Sequence, residues 1–156
     1  MKIGVISDTH RYIRVIGKIM NLFRDVDLII HLGDNVQDVH AIEKLYKGRI
    51  INVRGNCDFA VNTPSERIET IENKKFFITH GHKYDVKYNI SRLKTRAEEL
   101  NADVVLFGHT HISGITYEDG TWYINPGSPV LSRNGSNSVA LINIENDGIN
   151  ASIIEL

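Results

Sequence analysis

The chain opens on a compact apolar run, Lys2-Ile3-Gly4-Val5-Ile6-Ser7, which predicts a strand closed by Asp8-Thr9-His10. Ile13, Ile16, Met20 and Phe23 then recur at helical spacing and predict a helix over 12–23. Asp27 to Leu32 reads as a second short buried strand. Val36, Val39, Ile42 and Leu45 predict a helix from Val36 to Tyr46, and Arg49 to Val53 a third strand. This βαβαβ opening argues for a parallel sheet with covering helices. The order of its strands is not readable from the pattern.

The rhythm changes after Asn56. Glu66 to Ile71 and Lys75 to Thr79 read as strands around a turn at Glu72-Asn73. Ile90, Leu93, Ala97 and Leu100 share one face of a helix expected over 86–100. Val104 to Phe107 is another very apolar strand. Beyond it the periodicity is that of strands: Gly114 to Tyr117, Trp122 to Asn125, Ser138 to Ile144 and Asn150 to Ile154. Glu118-Asp119-Gly120 and Asn146-Asp147-Gly148 are expected as hairpin turns, because Asp-Gly tolerates positive φ. An α/β half is thus followed by a β-rich half. Two packed sheets with helices outside would bury both.

Composition narrows the class. At 156 residues the chain fits one domain, expected to span 1–156, with enough interior for a real core. Acidic and basic residues nearly cancel, leaving a formal charge of -1, so stable nucleic-acid binding along a basic groove is not indicated. No secretory signal pattern and no apolar run of membrane-spanning length is present, so a cytoplasmic protein without membrane attachment is expected. Cys57 is the only cysteine, which rules out an intrachain disulfide.

The candidate chemistry lies where apolar strands end. Asp8 and His10 follow the first strand. Asp34 follows the second, in His31-Leu32-Gly33-Asp34-Asn35. Asn56 follows the third, in Arg54-Gly55-Asn56-Cys57-Asp58. His80 follows Phe76 to Thr79, in His80-Gly81-His82, and His109 and His111 follow Phe107, in Gly108-His109-Thr110-His111. Five of the seven histidines fall in these motifs, and His31 and His40 do not. The carboxyl ends of strands are where open α/β folds bind ligands. Taken one at a time, Gly-Asp is an ordinary turn and a histidine an ordinary core or surface residue. Together, oxygen and imidazole donors suit a divalent ion such as Mn, Zn, Fe or Ni, and the lack of paired cysteines argues against a structural zinc site.

Asp8-x-His10, Gly33-Asp34, Gly55-Asn56, His80 and Gly108-His109-Thr110-His111, in that order, resemble the motifs of the calcineurin-like metallophosphoesterases. The resemblance covers essentially the whole chain. The short length, Arg54-Gly55-Asn56-Cys57-Asp58 and Asn125-Pro126-Gly127-Ser128 are similar to the small bacterial and archaeal phosphodiesterase branch. The resemblance implies a four-layer αββα sandwich with two packed mixed β-sheets. It also implies two divalent ions per chain, Mn or Ni foremost, with Zn, Fe or Mg as options. Asp34 would bridge them. Asp8, His10 and His111 would complete one ion's ligands, and Asn56, His80 and His109 the other's.

The expected reaction is hydrolysis of a small-molecule phosphodiester by in-line attack of a metal-bridging water or hydroxide. A metal-dependent phosphomonoesterase or nuclease with the same centre is an alternative, and a protein-binding scaffold a remoter one. A homodimer through edge strands of the second half is possible. His82 is a candidate to touch a substrate phosphate or support His80. Asp58 is a candidate to orient the Asn56 loop. Arg54 reads equally as a substrate contact or a surface residue. His31 is expected to be a buried non-ligand with one hydrogen bond. The Asn125-Pro126-Gly127-Ser128 stretch is a tight turn expected near the metals. Cys57 departs from family members that carry histidine directly after the motif asparagine. A thiol is a weak donor, so protonation of a poor leaving group is in doubt.

Overall fold

Side-chain alternation within each strand decides which layer it feeds, and it sorts the core into three parts. In the computed structural model, which describes residues 1–146 and 148–156, ten strands form two five-stranded sheets. The elements are β1 (Lys2–Ile6), α1 (Arg14–Leu22), β2 (Leu28–His31), α2 (Val39–Leu45), β3 (Arg49–Asn52), β4 (Glu66–Ile71) and β5 (Lys74–Thr79). They continue with α3 (Ser91–Leu100), β6 (Val104–Leu106), β7 (Gly114–Glu118), β8 (Thr121–Asn125), β9 (Ser138–Glu145) and β10 (Gly148–Glu155). The first sheet runs β10-β9-β1-β2-β3 and the second β4-β5-β6-β8-β7.

Ile3 and Val5 of β1, Leu28 and Ile30 of β2, and Phe76 and Ile78 of β5 point between the sheets, where they form one buried core. Ile6 and Ile29 point the other way, against Ile16, Ile19 and Phe23 of the α1 side. Phe77 and Val105 leave the second sheet on its outer face and meet Leu93 and Ala97 of α3. The layers are therefore α1 and α2, sheet, sheet, α3: the four-layer αββα sandwich that the sequence implied. No helix among the described residues is long and apolar enough to cross a membrane.

Every expected strand is present. Two helices start later than their periodicity suggested. The one expected over 12–23 begins at Arg14, because Arg11 is left-handed (φ 66°) and Tyr12 N–H closes a turn onto Thr9 O. The one expected over 86–100 begins at Ser91. A single 3-10 turn, His82–Tyr84, ends at left-handed Asp85, and Asn89 Oδ1 accepts Ser91 N–H at 3.0 Å just before the helix. Val86 is buried, so its apolar character marks packing and not helix periodicity. The Val36 helix opens with a 3-10 turn, Val36–Asp38. The expected turn at Asn146-Asp147-Gly148 includes residue 147, which lies outside the described residues.

β1, β2 and β3 run parallel, as do β5, β6 and β8. Antiparallel β9 and β10 extend the first sheet, and β4 and β7 flank the second. Parallel runs put successive carboxyl ends on one side, so the loops after β1, β2 and β3 share one rim, and those after β5 and β6 share another.

Gly4 marks the tightest contact in the first helix–sheet layer, since a Cβ there would overlap the Phe23 ring. Gly4→Ala should destabilise the fold by about 1–3 kcal/mol through overpacking, which outweighs the roughly 0.5–1 kcal/mol that Ala otherwise gains over Gly. Urea denaturation reads this directly. Adding Phe23→Leu to Gly4→Ala should give less than the sum of the two single effects, because both act on one contact.

Candidate metal centre

Asp8 lies in the loop just after β1 and is fully buried with Ser7. One oxygen, Oδ2, accepts Ser7 Oγ–H at 2.5 Å and His109 N–H at 3.0 Å. The other, Oδ1, is buried without a hydrogen-bond partner. His111 Nε2 lies 3.1 Å from it, His10 Nε2 3.8 Å and His80 Nε2 3.9 Å. His80 Nε2 is likewise buried and unpartnered, and it also lies 3.5 Å from Asp34 Oδ2.

Two of these imidazoles have a fixed tautomer. His80 Nδ1 donates to Leu32 O and His111 Nδ1 to Leu131 O, each at 2.8 Å. A carbonyl only accepts, so the proton of the neutral ring is on Nδ1 and the lone pair on Nε2 faces inward. A backbone carbonyl or carboxylate in this role is the usual partner of a metal-binding histidine.

The Asp34 loop is held by Asp58. Asp58 Oδ2 accepts the N–H groups of Asp34 and Gly55 at 3.0 and 2.8 Å, and Oδ1 accepts that of Val36 at 2.8 Å. Asp58 thus ties the loop after β2 to the loop after β3. Asp34 Oδ1 accepts Cys57 N–H at 2.8 Å. Backbone bonds from Asp8 N–H to Gly33 O and from His10 N–H to Asp34 O join the first loop to the second. The motif glycines follow from this crowding. A Cβ on Gly55 would overlap Asp34 Oδ1, and one on Gly108 would overlap Ser7 Oγ.

Potential ligand atoms gather in three sets, each within 4.8 Å: Asp8, His10 and His111; Asp34, His80 and His109; His10, Asp34 and Cys57. Asn56 is exposed, and its Nδ2 donates to Cys57 Sγ at 3.5 Å, turned toward the thiol. His82 is half-buried, with its ring 5.4 Å from that of His80 and 6.1 Å from that of His109. Five of these residues hold left-handed backbone: Asp8 (φ 58°), His10 (45°), Asp34 (49°), His109 (68°) and His111 (59°). Such conformations disfavour non-glycine residues, and their clustering points to a functional site.

Electrostatics follow from the geometry. Burial pushes the Asp8 carboxyl upward, but His111, His80 and the Ser7 hydroxyl hold it below its ordinary value. Burial opposes ionisation of Asp34 too, and His80 with Cys57 N–H keeps it far below the carboxylate range. Burial lowers His80, yet the Asp34 and Asp8 carboxylates outweigh it and raise its pKa. Asp8 raises His111 against burial. His109 is pushed down to about 4 by burial and then by the charges of His80 and Lys87. Burial, with His80, lowers His82. Burial and the Asp34 carboxylate push the Cys57 thiol up to about 11.

His31 is buried, as expected, but makes two hydrogen bonds: Gly33 N–H donates to Nδ1 at 3.2 Å, and Nε2 meets Thr9 Oγ1 at 3.1 Å. Burial lowers its pKa. The Asn125-Pro126-Gly127-Ser128 turn braces the centre from behind. Ser128 Oγ donates to Asp8 O at 2.8 Å, and Asn125 Nδ2 donates to Gly108 O at 3.1 Å. Sequence reasoning missed Ser7 and the carbonyls of Leu32 and Leu131. Ser7 carried one usable signal, a polar residue closing an apolar strand. The carbonyls carried none, because any residue type supplies one.

Ionised carboxylates, inward lone pairs and the orphaned buried atoms Asp8 Oδ1 and His80 Nε2 form a donor set that fits divalent metal. Hard oxygen and imidazole nitrogen together match the borderline ions of the first transition row.

Residues 1–147 match the family model described as the calcineurin-like phosphoesterase superfamily domain. The chain is 38% identical over 150 residues to a probable metallophosphoesterase of Bacillus subtilis, covering 94% of this chain and 86% of that one. It is 32% identical over 163 residues to a phosphodiesterase of Methanocaldococcus jannaschii, covering 93% and 94%. The crystal structure of a predicted phosphoesterase from Streptococcus pneumoniae superposes with a TM-score of 0.84 at 27% identity, covering 99% of this chain and 88% of that one. With its sandwich, its strand-end motifs and these matches in register, this chain belongs to the calcineurin-like phosphoesterase superfamily.

Proposed function

We propose that this protein is a binuclear-metal-dependent phosphodiesterase acting on a small-molecule diester. The observation that carries the reading is the pair of buried, unpartnered atoms, Asp8 Oδ1 and His80 Nε2, facing each other between two groups of potential ligands. An unsatisfied buried polar atom costs about 1–3 kcal/mol, so two of them at one point argue for a missing cationic partner. Asp8, His10 and His111 would hold one ion and Asn56, His80 and His109 the other, with Asp34 shared. Two divalent cations supply Lewis acidity there, offsetting phosphate charge and easing ionisation of water for in-line attack.

The chain's own groups set the terms of that chemistry. Asp8 and Asp34 bring the fixed negative charge. The imidazoles donate as neutral groups and leave net positive charge facing a phosphate. His82, lowered in pKa and with Nδ1 unpartnered, can contact a phosphate oxygen as a neutral ring. Asp58 acts through the backbone of the Asp34 loop and is a positioning residue. Cys57 stays protonated at neutral pH and is a feeble acid, which favours leaving groups that depart without a proton.

Metal loading should reach two ions per chain by elemental analysis, and a stoichiometry that never exceeds one would sink the binuclear reading. Loading should also release protons. His80 and His111 have raised pKa values in the metal-free protein, so they carry protons over a window extending above the ordinary histidine value. Metal must displace these protons, so affinity should weaken as pH falls through that window. Calorimetry in buffers of different ionisation enthalpy measures the release.

Asp34→Ala should abolish activity in a protein that remains folded by circular dichroism. His111→Ala should disturb one ion more than the other. Asp58→Asn, which touches only the supporting backbone, should cost about 10–100-fold, the usual range for a group one step removed from a ligand. Near-native activity with two bound ions in Asp34→Ala would show that Asp34 is not the bridge.

Wild-type enzyme should hydrolyse aryl diesters faster than alkyl monoesters. Cys57→His places a group of ordinary pKa near 6.5 at the leaving-group side. A well-placed acid contributes about 10²–10⁴-fold, and an unoriented one should realise a small part of that. The dependence of rate on leaving-group pKa should become shallower. An unchanged slope in a correctly metallated variant would rule out this position as the missing acid.

A further inference from the structure

A cavity of about 410 Å³ opens on the outer face of the second sheet, beyond the area that α3 covers. Its apolar lining includes Val86, Ile90, Phe107 and Tyr123, which extend the cluster packed under α3. Ile112 lines it as well and is 48% exposed. Thr110, Ser113 and Asn125 add polar groups, and Lys87 and Arg133 add two cations. No Asp or Glu is among the lining residues. Among the described residues, neither Lys87 nor Arg133 is paired with a carboxylate.

The cavity shares walls with the metal centre. Thr110 stands between His109 and His111 in one short loop. Val86 packs over Gly81, between His80 and His82. Arg133 N–H donates to His111 O at 2.9 Å. The volume lies in the range of about 300–1,000 Å³ common for small-molecule sites. An apolar lining with aromatic edges accepts a flat ring, and two unpaired cations without a competing carboxylate select negative charge on it.

We propose that this cavity seats the non-reacting arm of the diester, and that it takes an aromatic ring carrying an anionic substituent. This rests on the phosphodiesterase reading above for its place in the reaction, but not for the binding itself. The metal centre recognises only the phosphate, which every diester has. The cavity supplies the discrimination the centre lacks.

Gly114 offers a clean way to fill it. Ile115 packs between the sheets, so Gly114 and Thr116 face outward with Tyr123, the register partner of Thr116. Gly114 lines the cavity and no atom lies within 4 Å of a Cβ placed on it, so Gly114→Trp is the substitution chosen to block the cavity. Two measurements test the proposal. First, the metallated enzyme is given methyl, phenyl and carboxyphenyl esters of p-nitrophenyl phosphate, which share one leaving group. The kcat/KM for the carboxyphenyl ester should exceed that for the methyl ester by at least about tenfold, equivalent to about 1.4 kcal/mol. Gly114→Trp should erase the ratio, and Lys87→Ala with Arg133→Ala should reduce it to that of the phenyl ester. Second, fluorescence titration of folded, metal-free protein with anilinonaphthalene sulfonate, an aromatic anion, should show one site that Gly114→Trp removes and the double alanine variant weakens.

Equal rates for the three esters, or dye binding indifferent to Gly114→Trp, would overturn the proposal. Metallated wild type that hydrolyses none of the esters would instead overturn the phosphodiesterase reading, and the dye titration alone would then decide the cavity.

Discussion

The buried carboxylate of Asp8 sets the terms for everything around it. A carboxylate at the end of a central strand, sealed from water, is tolerable only if its charge is answered. Ser7 Oγ–H and His109 N–H answer one oxygen, and the other is left facing three imidazoles. Those imidazoles come from loops on both sheets. Their meeting at one oxygen puts the loops after β1 and β2 against those after β5 and β6. The two sheets are apolar on their facing sides, which lets them close without specifying register at that edge.

The loops of this rim are tied together by side chains that bond the backbone of neighbouring loops. Asp58 collects three N–H groups from two loops, and Ser128 reaches Asp8 O from a turn 120 residues away in sequence. The left-handed residues make such bonds possible, since they reverse the chain immediately after a strand. Each costs on the order of 1–2 kcal/mol, and the density of bonds between loops is what sustains five of them together. The motif glycines have a complementary task. Gly55 and Gly108 carry no Cβ because a neighbouring loop already fills that volume. A glycine beside a candidate ligand here reports close approach, not flexibility.

Much of this was legible in the residues. Apolar runs closed by Asp or His located the central strands β1, β2 and β6, because a strand buried on both faces leaves no polar position until it ends, while alternation located half-exposed strands such as β4 and β10. The motif order carried the family, and through it the four-layer sandwich. Helix starts were less readable. Val86 was buried by packing against the Gly81 loop, and apolarity alone does not separate that from a helix face. His31 has a second hydrogen bond that depends on the turn at Gly33, a backbone path with no sequence signature. The cavity was invisible for a similar reason. Its residues, from Val86 to Arg133, belong to separate loops and strands whose neighbourhood exists only after folding, and each alone reads as core or as surface.

The position of β1 has a consequence for how the molecule comes into being. β1 leads into the Asp8 loop and lies in the middle of its sheet, paired on one side with β2 and on the other with β9. β2 follows closely in sequence, but the Ile3–Ile142 pairing spans most of the chain. His10 and His111, whose ring nitrogens meet at 3.1 Å, are separated by 101 residues. During vectorial synthesis the first strand therefore waits with one open edge until β9 emerges. Pairings of such long range fold slowly. His10 meets His111 only when both sheets have formed, so the assembled donor set belongs to the two-sheet fold and not to either half of the chain alone.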